Sequence, residues 1–169
     1  MGVMLYRSQG VLADCDFASS GEMGVFAGEH SSLDMQGCMC SGTADCGVQV
    51  WESNCRLQGV VSVGNGTGFL LYGIRSSAVI TDCKAVDITV VGLQVEGVGA
   101  RVRVQGLQMR QVAKQQACGI SVLKEGRADL LQLQACCRIR RPRGCCWRGS
   151  YRGGGGRLPA VWLRRGLCL

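Results

Sequence analysis

Proline is missing from residues 1–136; both prolines of the chain, Pro142 and Pro159, come later. So long a stretch without proline suits a structure in which nearly every backbone N–H is paired with a neighbour. Histidine occurs once, at His30, which excludes any site built on several imidazoles. No apolar run approaches the roughly 18 residues needed to span a membrane, and residues 1–25 show no basic stretch followed by an apolar one. These features leave the compartment open, with the cytoplasm as the default expectation. Acidic residues also stop. Residues 1–136 hold 10 Lys and Arg against 12 Asp and Glu, a net of −2, whereas residues 137–169 hold nine arginines and no acid. The formal charge of +7 therefore belongs to the tail, and a mean hydropathy of +0.14 with 18% charged residues argues against general disorder.

What the chain does have is a repeat. Glycine recurs at residues 2, 24, 47, 68, 92 and 119, each followed by an apolar residue at the next position and another two further on. One ladder reads Val3, Val25, Val48, Phe69, Leu93 and Ile120; the other reads Leu5, Ala27, Val50, Leu71, Val95 and Val122. With 47% apolar residues, twelve such hits would arise by chance on the order of once in ten thousand. The interleaved positions Met4, Phe26, Gln49, Leu70, Gln94 and Ser121 give the period of two that a strand imposes.

Second strands end at Val11–Cys15 and Val79–Cys83. A small apolar or thiol group recurs at Cys15, Cys38, Val60, Cys83, Leu107 and, on this reading, Cys136. Third apolar stretches stand at Val60–Val63 and Ile88–Val91. Three short strands per repeat of about 23 residues form one rung of a coil, with rungs about 4.8 Å apart. Glycine at each rung's opening fits a corner that needs positive φ or close backbone approach. Met109 to Ala117 is rich in helix formers and predicts a small helical insertion.

These repeats resemble the right-handed parallel β-helix repeats of pectin-lyase-like proteins over about residues 2–136. The expected fold is all-β: a right-handed, single-stranded parallel β-helix of about six rungs, with an irregular tail over residues 137–169. The opening rung at Gly2 leaves no room for a cap, so the chain is expected to be a fragment. The resemblance implies polysaccharide chemistry by clustered aspartates, a basic residue and often calcium, and the matching signatures are missing here. Asp14 and Asp82 are laterally equivalent but about 14 Å apart by the rung rise, beyond the roughly 5–9.5 Å of a glycosidase pair. Asp82 and Asp87, with Lys84 between them, make a weak patch that reads better as strand ends.

The remaining candidates are read the same way. Glu29-His30 lacks a nucleophile or third group and reads as a bend facing water. Gly64-Asn65-Gly66-Thr67-Gly68 mimics a phosphate loop and contains a glycosylation triplet, but a strand follows it, so a tight bend is expected. Of twelve cysteines, eight lie in the repeat, where inward thiols act as small hydrophobes. The run Cys38-x-Cys40 with Cys46 and Cys55 matches no common zinc spacing. Trp51 and Tyr72 occupy matching positions on consecutive rungs; they read as a corner pair stabilising the coil, or as a platform for a sugar ring.

The arginine-rich tail reads either as a segment for nucleic acid or an anionic surface, or as a disordered or mistranslated end. Its lack of pattern favours the second and makes nucleic acid a disfavoured partner. The sequence thus predicts a non-enzymatic scaffold or interaction fragment without a catalytic residue, cofactor or metal. Polysaccharide binding through Trp51 and Tyr72, or processing by a longer parent protein, is the alternative; nucleic-acid binding comes third. The partner is left open between protein and polysaccharide.

Overall fold

A computed structural model describes residues 1–111, 118–123, 127–131, 133–137 and 149–151. In chain order the first turn is β1 (Val3–Tyr6), β2 (Gln9–Ala13) and β3 (Asp16–Ala18); the second is β4 (Met23–Gly28), β5 (Ser32–Gln36) and β6 (Met39–Ser41). The third is β7 (Cys46–Trp51), β8 (Asn54–Gln58) and β9 (Val61–Val63); the fourth is β10 (Thr67–Tyr72), β11 (Ser77–Thr81) and β12 (Lys84–Val86). The fifth is β13 (Val91–Glu96), β14 (Arg101–Gln105) and β15 (Gln108–Gln111); the sixth is β16 (Cys118–Leu123), β17 (Arg127–Leu131) and β18 (Leu133–Cys137), and β19 (Gly149–Tyr151) follows. Every third strand joins one parallel sheet, so β1-β4-β7-β10-β13-β16 form the first and β2-β5-β8-β11-β14-β17 the second. The third runs β3-β6-β9-β12-β15-β18, with β19 antiparallel on its edge.

The register matches the predicted ladders residue for residue. Val3, Val25, Val48, Phe69, Leu93 and Ile120 pair in succession, as do Leu5, Ala27, Val50, Leu71, Val95 and Val122. Their side chains meet Met35, Leu57, Ile80 and Val104 from the second sheet in one continuous core. Three expectations are corrected. Leu133, not Cys136, follows Leu107 in its column, because Gln134 pairs with Gln108 and Cys136 with Arg110. The third strand of the fourth turn is Lys84–Val86; Ile88 to Val90 form the bend that leads into β13, with Ile88 buried. Met109 to Gln111 lie in β15, where pairing with β12 overrides helix propensity, and 112–117 lie outside the described residues.

The corners explain the glycines. Gly24, Gly47 and Gly92 have no positive φ; a Cβ there would stand 2.6, 2.9 and 2.8 Å from the carbonyl oxygen of the next turn's glycine. Close approach is therefore the reason for the repeat glycine. Left-handed residues stand at all the corners instead, and the corner between the second and third sheets repeats one in turn after turn: Asp14, Gly37, Gly59, Asp82 and Gly106 have φ of 51°, 62°, 62°, 50° and 71°. The corner between the first and second sheets is lined by buried Ser31, Ser53 and Ser76, with the Ser31 N–H donating to Ser53 Oγ at 3.0 Å.

Candidate functional site

Strand alternation turns two columns of the first sheet outward: Met4, Phe26, Gln49, Leu70 and Gln94, and beside them Tyr6, Gly28, Trp51, Tyr72 and Glu96. The equivalent outward residues of the second sheet are mostly polar, as in the column Gln36, Gln58, Thr81 and Gln105. The contrast makes the first sheet's outer face more apolar and aromatic than the second's. Trp51 and Tyr72 stack there, with ring centroids 6.2 Å apart and planes 15° from parallel. Parallel β register places them on adjacent turns, and both are half-buried. Gly28 continues the surface in the other direction. A Cβ at Gly28 would stand 2.5 Å from Phe26 Cε1 and 3.4 Å from Trp51 Cε3, so the bare backbone lets the Phe26 ring lie beside the indole.

Gln49 is the polar centre of this face. It is 9% exposed, lying in register between Phe26 and Leu70, and its Nε2 donates to the Tyr72 hydroxyl at 2.9 Å. Its Oε1 is buried without a partner. Exchanging the amide's oxygen and nitrogen would give Tyr72 an acceptor and orphan the nitrogen instead, so one unpaired group stays at this place in either orientation. An unmet buried amide group costs about 1–3 kcal/mol. Sequence reasoning singled out Trp51 and Tyr72 and passed over Gln49; a glutamine flanked by Phe26 and Leu70 in the repeat alignment was the available signal.

The acids do not converge. Asp14 and Asp82 share a column with Gly37 and Gly59 between them, and each sits in the left-handed conformation. Asp87, also left-handed at a φ of 54°, lies at the far end of β12 from Asp82. Glu29 accepts from the Tyr6 hydroxyl and pairs with Arg7 at 2.6 Å. That hydrogen bond holds Glu29 below the usual carboxylate range and raises the Tyr6 phenol. His30 lies in the predicted bend between β4 and β5, with a φ of 63°.

Asn65 is completely buried. Its Oδ1 accepts from the Thr43 N–H at 2.8 Å and the Thr43 hydroxyl at 2.9 Å, and its Nδ2 donates to the Cys40 carbonyl at 2.9 Å and to Ser62 Oγ at 2.8 Å. The predicted bend is thus a polar peg between turns, and its amide has no room for a glycan. Cys38, Cys40, Cys46 and Cys55 are buried thiols in separate strands or corners, and no group of potential metal ligands forms among the described residues. Burial pushes Cys40 and Cys55 up to about 12 and Cys83 to about 11, which keeps them protonated. The arginine tail, apart from Cys137 and 149–151, lies outside the described residues, and the nucleic-acid reading lies there with it.

A family model described as a right-handed β-helix region matches residues 1–131. No curated protein and no solved structure matches the chain.

Proposed function

The chain belongs to the right-handed β-helix family, and from that premise we propose that it is a non-enzymatic scaffold that binds a partner on the outer face of its first sheet. On this reading residues 1–136 are the rigid coil and 137–169 a separate tail. The observation that carries the proposal is the half-buried stacked pair Trp51 and Tyr72, backed by the buried ring of Phe26, in contrast with the polar outer column of the second sheet. Acids committed to turns and to Tyr6 support the non-catalytic part.

A neutral saccharide is the second reading, favoured by one observation. The hydroxyl of half-buried Tyr72, held by Gln49 Nε2, stands beside the stacked rings, where a sugar would offer both hydroxyls and an apolar face. Because Trp51 and Tyr72 face each other, a sugar would meet their outer edges and the Phe26 side of the indole.

Calorimetric titration of the full chain with neutral glucan and acidic uronan oligosaccharides, alongside a reducing-end assay, tests both readings. Saccharide binding is expected to favour the neutral series and to vanish in Trp51→Ala, while Gln36→Ala on the second sheet binds normally. No new reducing ends are expected. Their release would overturn the non-enzymatic reading, and the absence of saccharide binding would leave the face to a protein partner. Binding to nucleic acid that is lost on removal of 137–169 and falls steeply with salt would support the tail instead.

A further inference from the structure

We infer that Cys15 and Cys38 are a thiol pair that a small-molecule disulfide converts into a cross-turn bridge fastening the first turn to the second. The inference is independent of the saccharide reading. Asp16 pairs with Met39, and the Asp14 N–H donates to the Gln36 carbonyl, so the two cysteines occupy one column on adjacent turns. Parallel neighbours lie about 4.8 Å apart, inside the roughly 4.4–6.8 Å Cα range of disulfides. Both sulfurs gather at the same corner. Cys15 Sγ lies 3.2 Å from the Ala13 carbonyl oxygen, and Cys38 Sγ reaches back to the first turn, 3.4 Å from that of Leu12. Both are free thiols. No other column of the described residues places cysteines on consecutive turns: Cys83 stands between Val60 and Leu107, Cys40 between Phe17 and Ser62, and Cys55 between Leu33 and Ala78.

Exposure sets the order of events. Cys15 is half-buried, whereas Cys38 is fully buried and its thiol is raised chiefly by burial. With glutathione disulfide as oxidant, the Cys15 sulfur loses its proton and attacks one glutathione sulfur. A mixed disulfide forms and the first reduced glutathione leaves. The Cys38 sulfur then loses its proton and attacks the Cys15 sulfur, forming the bridge and releasing a second reduced glutathione. Two protein thiols are oxidised and one glutathione disulfide is reduced to two thiols, which balances protons and electrons.

The test incubates the full chain with glutathione disulfide, quenches with acid, alkylates, and maps the unreduced peptides by mass spectrometry. The expected product is a Cys15–Cys38 crosslink, with Cys40, Cys46, Cys55 and Cys83 recovered as thiols. In Cys38→Ala, a change to another small residue, Cys15 should stop at the glutathione adduct; in Cys15→Ala, Cys38 should stay reduced. The inference is overturned if Cys15 of the unaltered protein remains free, stays as the glutathione adduct or pairs elsewhere. It is equally overturned if Cys38 is oxidised at the same rate without Cys15. Circular dichroism of each variant identifies any that has unfolded, and exchange of first-turn amides, slowed only in the bridged form, reads the fastening directly.

Discussion

The carboxylate of Asp14 lies over the Cα of Gly37 one turn on, in the space where a Cβ would stand, and Asp82 repeats the arrangement over Gly106. Both members of each pair are left-handed, so each short acid that tolerates positive φ is followed one turn on by a residue that has no side chain to collide with it. Gly37→Ala should destabilise the coil by about 2 kcal/mol, from the left-handed strain and the lost space. Adding Asp14→Gly should restore part of that loss, a coupling of about 1 kcal/mol in a denaturant double-mutant cycle. Strict additivity would show that the two residues do not share the space.

Asn65 uses all of its hydrogen-bonding capacity, in three bonds to the preceding turn and one to Ser62 of its own. Asn65→Ala should cost about 3 kcal/mol or more by stranding the Thr43 N–H and the Cys40 carbonyl, and Asn65→Asp should be nearly as damaging because it cannot donate. Chemical denaturation measures both. Folded protein from a glycosylating host should carry no glycan at Asn65, as intact mass would show.

The buried thiols make stability fall in alkali. Cys40, Cys55 and Cys83 have folded pKa values of about 12, 12 and 11 against 9.0 when exposed. The unfolded chain therefore binds fewer protons above pH 9; the thiols' contribution is intact below that pH and is lost as pH rises toward the folded values. Each thiol should remove about 1 kcal/mol by pH 10, and Cys55→Ala should flatten the decline between pH 9 and 11. Urea midpoints across that range provide the check.

Tyr6 and Glu29 are linked across the first two turns. Ultraviolet titration should find the Tyr6 phenol above its ordinary value of 10.0, chiefly because of its hydrogen bond to Glu29. Glu29→Gln should return it toward that value, and an unmoved phenol would mean that the contact does not persist in solution.

The apolar ladders were legible because each position repeats one chemical requirement in every turn, with a period of two inside a period of about 23 residues. Val48, Phe69 and Leu93 differ in size, yet all fill the same interior column. The serine corner was legible in principle, since Ser8, Ser31, Ser53 and Ser76 recur at nearly the same interval. The positive-φ corner was harder to see: Asp14, Gly37 and Gly59 share a backbone conformation but no side-chain chemistry. The last turn was misaligned because its third strand was anchored on a cysteine, whereas Leu133 holds the register. Of the candidate site, the Trp51 and Tyr72 pair could be read from equal spacing. The unpaired Gln49 amide depends on how two neighbouring turns shield it, which a linear pattern does not encode.

In the stacked coil Phe69 lies sandwiched between Val48 on one side and Leu93 on the other. In a nuclear Overhauser spectrum of methyl-labelled protein, the Phe69 ring protons should give strong cross-peaks to the methyls of both Val48 and Leu93. Cross-peaks to neither, or to one alone with helical chemical shifts around Phe69, would contradict the stacked coil and everything placed on its outer face.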